Sequence, residues 1–435
     1  MGKTQSHIIS SARELKQYKL PRASGNEFYR SNNVSVFDRW LVHKLLDIIG
    51  KPPLSFILWN NEEIASPDIK PHARIRIRSR YALYKLLLNP ELNFGDLYSL
   101  GNVDVEGDLA SSLVDIYHAI NRVNGKSLLS NFTRPIFQQQ NTPDKARFNI
   151  HHHYDIGNGF YQQWLDRAAM QYTCAYFPDP AMTLEQAQMA KMHHICRKLR
   201  LRPGQTVVEA GCGWGGFALF MAREYGVSVK AYNISHEQIN FASQQAAATD
   251  WSRQVEYIED DYRNIKGRFD VFVSVGMLEH VGIENYQQLG VVIDNCLKEQ
   301  GRGLIHTIGR NQPALLNAWI ATRIFPGACP PSISQMMHIF EPMEFSVLDI
   351  ENLRLHYAKT LEHWLTRFDL NVEQYRKTYD EEFIRTWRLY LAGSLAAFTS
   401  GNMQLFQVLF TRPHNNDLDR SRAYMYQENH LSMQD

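Results

Sequence analysis

The 435-residue sequence predicts an α/β protein, with a doubly wound parallel sheet in its larger C-terminal part and a smaller α+β unit ahead of it. Three observations carry this. Apolar strand segments alternate with helical ones over 206–308. The first of these strands, Val207-Val208-Glu209-Ala210, runs into Gly211-Cys212-Gly213-Trp214-Gly215-Gly216, whose glycines let backbone approach a ligand just where a helix begins. The chain is long enough for two cores, and between 125 and 147 it turns to Ser, Asn, Gln and Thr with Pro135 and Pro143, which marks a boundary.

Residues 1–30 are polar and are expected to be flexible. The unit 31–124 reads as a helix over 37–49, a strand over 54–58, the alternating segment Ala73-Arg74-Ile75-Arg76-Ile77-Arg78, a helix over 81–88, a short strand and turn within 102–109, and a helix over 110–123. Alternation puts Arg74, Arg76 and Arg78 on one sheet face. A solvated face is the favoured reading, and a patch facing phosphate or lipid headgroups is the alternative. After the linker 125–147, the unit 148–414 carries strands 206–210, 227–233, 254–258, 269–275 and 302–308, with helices 216–225, 236–247 and 285–297 between them. An insertion at 314–343 is rich in aromatic residues and methionine, and suits a core or lid as well as the wall of a site for a long apolar substrate. A strand-helix segment with Tyr357 and Trp364, helices within 371–399, a strand over 403–411 and a polar tail 415–435 complete the chain.

With 46 basic against 45 acidic residues and a net charge of +1, the sequence lacks the basic excess of a general nucleic-acid binder, and no nucleic-acid partner is expected. Five cysteines without a CxxC pair argue against a disulfide framework or structural zinc, and a reducing cytoplasm is the simplest home. No signal-peptide core and no run of about 18 apolar residues is present, so any membrane contact is expected at its surface. Adjacent residues in His151-His152-His153 project in different directions and no matching cluster closes a site, so no metal is expected.

The spacing Gly211-x-Gly213-x-x-Gly216 admits both a nicotinamide dinucleotide and S-adenosylmethionine. Two features favour the second. Glu209 precedes the first glycine, where a carboxylate can meet the cationic amino-acid end of S-adenosylmethionine. The next strand ends at Asn233, without the acid that a dinucleotide site uses on its ribose. Around this turn, Glu279 and His280 follow one strand, His306 ends another, and Cys174 lies ahead of the first. In an open parallel sheet such strand ends converge on the ligand crevice. Nothing nearby in sequence marks the Cys174 thiol as activated.

In this order, His153-Tyr154-Asp155-Ile156-Gly157-Asn158, Tyr172-Thr173-Cys174-Ala175-Tyr176, Glu209-Ala210-Gly211-Cys212-Gly213-Trp214-Gly215, Ser274-Val275-Gly276-Met277-Leu278-Glu279-His280-Val281-Gly282, His306-Thr307-Ile308-Gly309, Ile324-Phe325-Pro326-Gly327 and His356-Tyr357-x-x-Thr360 resemble the cyclopropane fatty acid synthases and the related mycolic acid methyltransferases. The resemblance spans 149–410, and more weakly the N-terminal unit. One departure is Leu278, where that family commonly has an aromatic, which would alter the pocket wall.

The resemblance implies a Rossmann-like class I methyltransferase domain behind a small lipid- or partner-facing domain. The implied activity adds the methyl carbon of S-adenosylmethionine across the cis double bond of an unsaturated phospholipid acyl chain, with bound bicarbonate as the base that closes a cyclopropane ring. By resemblance Cys174, Glu279, His306, Ile308 and Tyr357 hold the bicarbonate, Cys174 and Ile308 through their backbone amides. Tyr172, Thr173, Glu209, Gly211 and Gly213 grip the cofactor, with Gln238 near its sugar and Asp261 and Tyr262 by its adenine. It further implies a homodimer at the inner face of the membrane. Three rivals stand beside it: a methylene- or methyl-branched product, a lipid-binding relative without activity, and a nicotinamide-dependent oxidoreductase.

Overall fold

The computed structural model describes residues 33–67, 70–124 and 156–426. The expected flexible start, the linker, His151 to His153 and the end of the tail lie outside them.

The N-terminal unit opens with a helix, Val36–Ile48, started by a capping box in which Ser35 and Asp38 satisfy each other's backbone amides. The buried Asp38 carboxylate also pairs with Arg80 at 2.8 Å. Strands β1 (Leu54–Ile57), β2 (Glu63–Ala65), β3 (Ala73–Ile77) and β4 (Val103–Glu106) form a mixed sheet in the order β2-β1-β3-β4. As the alternation predicts, β3 buries Ala73, Ile75 and Ile77 and turns its arginines outward. Those arginines face carboxylates of the same sheet: on the adjacent β4, Arg76 meets Glu106 at 2.7 Å and Arg78 meets Asp104, and Arg74 lies 3.6 Å from Glu63 on β2, beyond β1. A ladder of opposite charges is a solvated face, and it leaves little net positive field for a headgroup.

Helices Arg80–Leu88, Pro90–Ser99 and Leu109–Asn124 complete the unit. The second of them was not anticipated, although Asn89 as cap and Pro90 in the first turn announce it. It docks closely on the C-terminal unit: a Cβ on Gly95 would sit 2.4 Å from Trp319 ring atoms, and Asp96 pairs with Arg323 at 2.8 Å.

The larger sheet contains β5 (Thr206–Ala210), β6 (Ser228–Asn233), β7 (Val255–Glu259), β8 (Phe269–Val275), β9 (Leu297–Gly309), β10 (Ser346–Asn352) and β11 (Gln404–Thr411), in the order β10-β11-β9-β8-β5-β6-β7. The strands of the alternating stretch, β5 to β9, pair in parallel as expected, and β11 enters between β9 and β10 antiparallel to both. Its two faces are both covered, so its burial is continuous and nothing in its residues marks direction. Val207 packs on one side of the sheet with Phe217, Phe220 and Met221. Val208 packs on the other with Phe272, Tyr286 and Phe340. The strand order reverses between β5 and β8, so their carboxyl ends open a crevice.

Helix Leu184–Leu199 was also missed. Its buried face carries Gln188, Lys191, His194 and Lys198, which breaks the apolar period that sequence reading depends on. Thr183 and Gln186 form a capping box at its start, a signal that was legible. His194 and Lys198 are matched by Glu351 at 2.7 Å and Asp349 at 3.2 Å on β10. Residues 415–426 pack beside this helix, where the Met425 carbonyl accepts from Arg197 and Asp417 meets Arg200 at 3.1 Å.

Candidate active site

Two cavities meet at the carboxyl ends of β5, β8 and β9. The first is lined by all eight residues expected to grip a cofactor: Tyr172, Thr173, Glu209, Gly211, Gly213, Gln238, Asp261 and Tyr262. The second is lined by all five expected around a base: Cys174, Glu279, His306, Ile308 and Tyr357. Tyr172, Thr173, Gly276 and His280 belong to both walls, so the two spaces share one partition.

The glycine turn is built as its composition requires. Gly211 has φ +84, and a Cβ there would meet the Met277 side chain at 2.9 Å. Gly213 has φ +54, and the direction of its missing Cβ is open space. Asn233, at the end of β6, donates to the Gly213 carbonyl at 3.1 Å and to Gln238 Oε1 at 2.8 Å, tying the turn to the next helix without a charge. Asp261 accepts from Arg263 at 3.0 Å, and Arg263 lies 4.6 Å over the Tyr262 ring.

Glu209, at the end of β5, is 2% exposed, and its Oε2 is buried without a hydrogen-bond partner. Burial pushes its carboxyl up to about 8, against the pull of Lys191. Such a group gains most from an incoming cation. Together with the gap at Gly213, this orphaned oxygen fits the ammonium end of S-adenosylmethionine.

Lys191 is a site residue that sequence reading did not find. It is 1% exposed, and its Nζ donates to Gln171 Oε1 at 2.5 Å and to Thr173 Oγ1 at 2.9 Å. Burial lowers its pKa to about 8, with Asp166, Cys174 and Glu209 acting in the other direction.

In the second cavity, His306 is 1% exposed. The Gln407 side-chain amide lies 3.1 Å from its Nδ1, and with the amide nitrogen turned to the ring the imidazole proton falls on Nε2. That Nε2 is buried and unpartnered. Desolvation, with help from the charges of Lys191 and Lys198, holds His306 well below the ordinary histidine pKa, so the ring is a neutral donor. Glu279 is also buried, and burial raises its carboxyl above the usual range. It accepts from Thr307 Oγ1 at 2.8 Å and from the Ile308 amide at 3.2 Å. The Ile308 amide, expected to face the anion, donates to Glu279 here.

Cys174 is fully buried, its thiol points at the Ala175 carbonyl at 3.1 Å, and burial pushes its pKa far up, which favours the un-ionised thiol over a thiolate. The Tyr357 ring packs at a tilt against Phe398, their centroids 4.5 Å apart. Burial holds His280, on the shared wall, down to about 4.

The aromatic insertion supplies Leu315, Leu316, Trp319, Ile320 and Phe325 to the second cavity, which favours the apolar-substrate reading of that stretch over a plain core. Leu278 contradicts its expectation. It is fully buried against the Tyr286 side of the sheet and lines neither cavity. Among the described residues, no group of three or more His, Cys, Asp or Glu side chains is placed to hold a metal ion, and no helix is long and apolar enough to cross a membrane.

Residues 141–408 match the model of the family described as mycolic acid cyclopropane synthetase. The chain is 34% identical to a probable fatty acid methyltransferase of Pseudomonas putida over 387 residues, 86% of this chain and 96% of that protein. It is 42% identical to the cyclopropane-fatty-acyl-phospholipid synthase of Escherichia coli (strain K12) over 271 residues, 62% of this chain and 69% of the relative. The solved structure of mycolic acid cyclopropane synthase CmaA1 complexed with SAH and CTAB superposes with a TM-score of 0.58 at 30% identity, covering 61% of this chain and 98% of that one. With this sheet order and these two adjoining cavities, the chain has the Rossmann-like class I methyltransferase fold and is an S-adenosylmethionine-dependent enzyme belonging to the mycolic acid cyclopropane synthetase family.

Proposed function

We propose that the protein transfers a methylene carbon from S-adenosylmethionine to the cis double bond of unsaturated acyl chains in membrane phospholipids, closing a cyclopropane ring with bicarbonate as the base. The observation that carries this reading is the shared wall. A cavity with an orphaned carboxyl oxygen at Glu209 adjoins one lined largely by aromatic and aliphatic side chains, in which His306 and Glu279 are buried polar groups.

An alkene is a neutral nucleophile with no proton to lose before attack, so the protein contributes alignment and dryness more than activation. Bound S-adenosylmethionine supplies an electrophilic methyl group, and Glu209 with the turn at Gly211 and Gly213 holds its amino-acid end. Tyr172 braces the partition: its hydroxyl meets that of Tyr390 at 2.8 Å, and its ring packs 5.3 Å from Trp364. Attack leaves a positive charge on the acyl chain, and aromatic faces such as Tyr172, Phe325 and Tyr390 stabilise it without trapping it. Neutral His306 offers its Nε2 proton to the anion that serves as base. Glu279, its carboxyl raised by burial, accepts the hydroxyl of that anion or carries a proton toward it. The four-stranded N-terminal unit contributes Glu91, Phe94, Leu113 and Tyr117 to the acyl cavity, and we assign it to the lipid side of the reaction at the inner face of the membrane.

The test is incubation with methyl-labelled S-adenosylmethionine, bicarbonate and vesicles of unsaturated phospholipid. Label is expected in the acyl chains, in a product that fragments as a ring and resists hydrogenation under conditions that saturate a methylene branch. Label in no lipid, with S-adenosylmethionine still bound, refutes catalysis and favours a binding protein. A methylene- or methyl-branched product is the second reading. It is favoured by the broad coverage of the probable fatty acid methyltransferase from P. putida, which extends into the N-terminal unit.

A further inference from the structure

The second cavity holds one charge that the chemistry above does not use. Arg310 follows the end of β9 and is pinned there by its amide, which donates to the Pro331 carbonyl at 2.8 Å, and by a bridge to Ser332. Among the described residues it is the only lysine or arginine lining the cavity. Its Nε is buried with no hydrogen-bond partner, and no described carboxylate is in ion-pair contact with it.

Desolvation holds the guanidinium below its ordinary pKa, against the opposing pull of Tyr117, Cys329 and Glu91. The Glu91 carboxyl is itself raised by burial and accepts from Asn317 at 3.4 Å, so it is partly engaged elsewhere. A guanidinium with an unmet donor in an apolar cavity is costly unless a ligand completes it. Planar guanidinium forks match carboxylate and phosphate oxygens. The position is also apt: Arg310 lies two residues beyond Ile308, about 7 Å of extended chain from the base site, with its side chain adding further reach.

We propose that Arg310 binds the oxyanion at the head of the acyl substrate, either a lipid phosphodiester or a fatty-acid carboxylate, and so fixes how far the chain enters the cavity. This rests on the acyl-substrate reading of the second cavity.

The test uses the full chain with three acceptors of labelled methyl: dioleoylphosphatidylglycerol vesicles, oleate, and methyl oleate, which carries no anion. Arg310→Gln is expected to raise KM about 10- to 100-fold for one of the anionic acceptors, since a hydrogen bond to a charged group is lost. The acceptor affected identifies the source of the oxyanion. The rate on methyl oleate and the affinity for S-adenosylmethionine should not change, and Arg310→Lys should recover part of the loss. Glu91→Gln removes a competing carboxylate, and should lower KM or leave it alone. An equal loss on methyl oleate, no loss on either anionic acceptor, or a rise in KM with Glu91→Gln that matches Arg310→Gln would overturn the proposal. Wild-type protein that binds S-adenosylmethionine but labels none of the three acceptors instead sinks the acyl-transfer reading on which the proposal depends.

Discussion

Replacing Glu279 by Gln removes one potential charge from the proposed base site and changes almost nothing in volume. The carboxyl accepts two hydrogen bonds, from Thr307 Oγ1 and from the Ile308 amide. A glutamine can accept through one oxygen only, so its amide group must face one of these donors. Thr307 can turn away, because its hydroxyl already has the Ile308 carbonyl at 3.1 Å as a second acceptor. The Ile308 amide cannot, so the glutamine oxygen should stay on it. The structural cost is then the loss of about one buried hydrogen bond, roughly 1 kcal/mol. The catalytic cost is larger, because the group that shares a proton with the base becomes fixed as an amide. Loss of such a contribution is on the order of 100-fold in kcat. Glu279 does not line the first cavity, so the affinity for S-adenosylmethionine should be preserved. The assay is turnover on unsaturated vesicles against bicarbonate concentration, with cofactor binding measured by calorimetry on the same preparation. A kcat indistinguishable from wild type, or a loss explained entirely by weaker cofactor binding, would refute the role given to Glu279.

Three other outcomes follow from the same geometry. Lys191→Met leaves Gln171 Oε1 and Thr173 Oγ1 without their donor, and should weaken S-adenosylmethionine binding about 10- to 100-fold from the 1–3 kcal/mol scale of an unmet buried acceptor; unchanged calorimetric affinity would show that Thr173 needs no support. His280 is held at about 4 and His306 well below its ordinary value, so the folded state takes up these protons later than the unfolded state does. Their contribution is complete above the ordinary histidine pKa and is lost as pH falls from about 6.5 toward 4, at up to roughly 1.4 kcal/mol per pH unit for each. Denaturant melts across that range should show this slope, and His280→Gln should make it shallower; a slope that His280→Gln leaves unchanged would count against it. Changing Arg74, Arg76 and Arg78 together to Gln should leave activity on anionic vesicles unaltered and cost about 0–1 kcal/mol per exposed pair in melts. A selective fall on anionic vesicles would restore the headgroup-facing reading.

How much of this was legible depended on whether a feature is local. The glycine turn, the strands that converge on it and the alternation of β3 are short-range patterns, and the structure follows each of them. The thirteen residues that the resemblance named all line the two cavities; Glu209, Gly211, Gly213, Glu279, His306 and Ile308 are carried there by the ends of β5, β8 and β9, whereas Tyr172, Thr173 and Cys174 come from a loop and Gln238 and Tyr357 from helices. The failures are equally particular. Helix Leu184–Leu199 was hidden because its inner face is polar, and Leu278 was linked to the pocket wall because the family commonly carries an aromatic there. In the short helix Leu278–His280 after β8, Leu278 instead turns into the core while Glu279 faces the cavity. The Ile308 amide was given to a ligand when a side chain 29 residues away in sequence takes it.

The sequence by itself determined the parallel strands and the turn, since these rest on hydrophobic period and on glycine's access to positive φ, and it pointed to the chemistry through the resemblance that its ordered motifs carry. Only the tertiary structure decided how those groups are charged and what they face. Lys191 becomes a buried donor to Thr173 because a helix and a loop meet there. His306 becomes a neutral donor because Gln407, on the reversed strand β11, takes its other nitrogen. Arg310 becomes an unmet cation because the N-terminal unit and the aromatic insertion close an apolar space around it. Desolvation and hydrogen-bond partnership are properties of the surroundings, and the surroundings of these residues come from segments far apart in the chain.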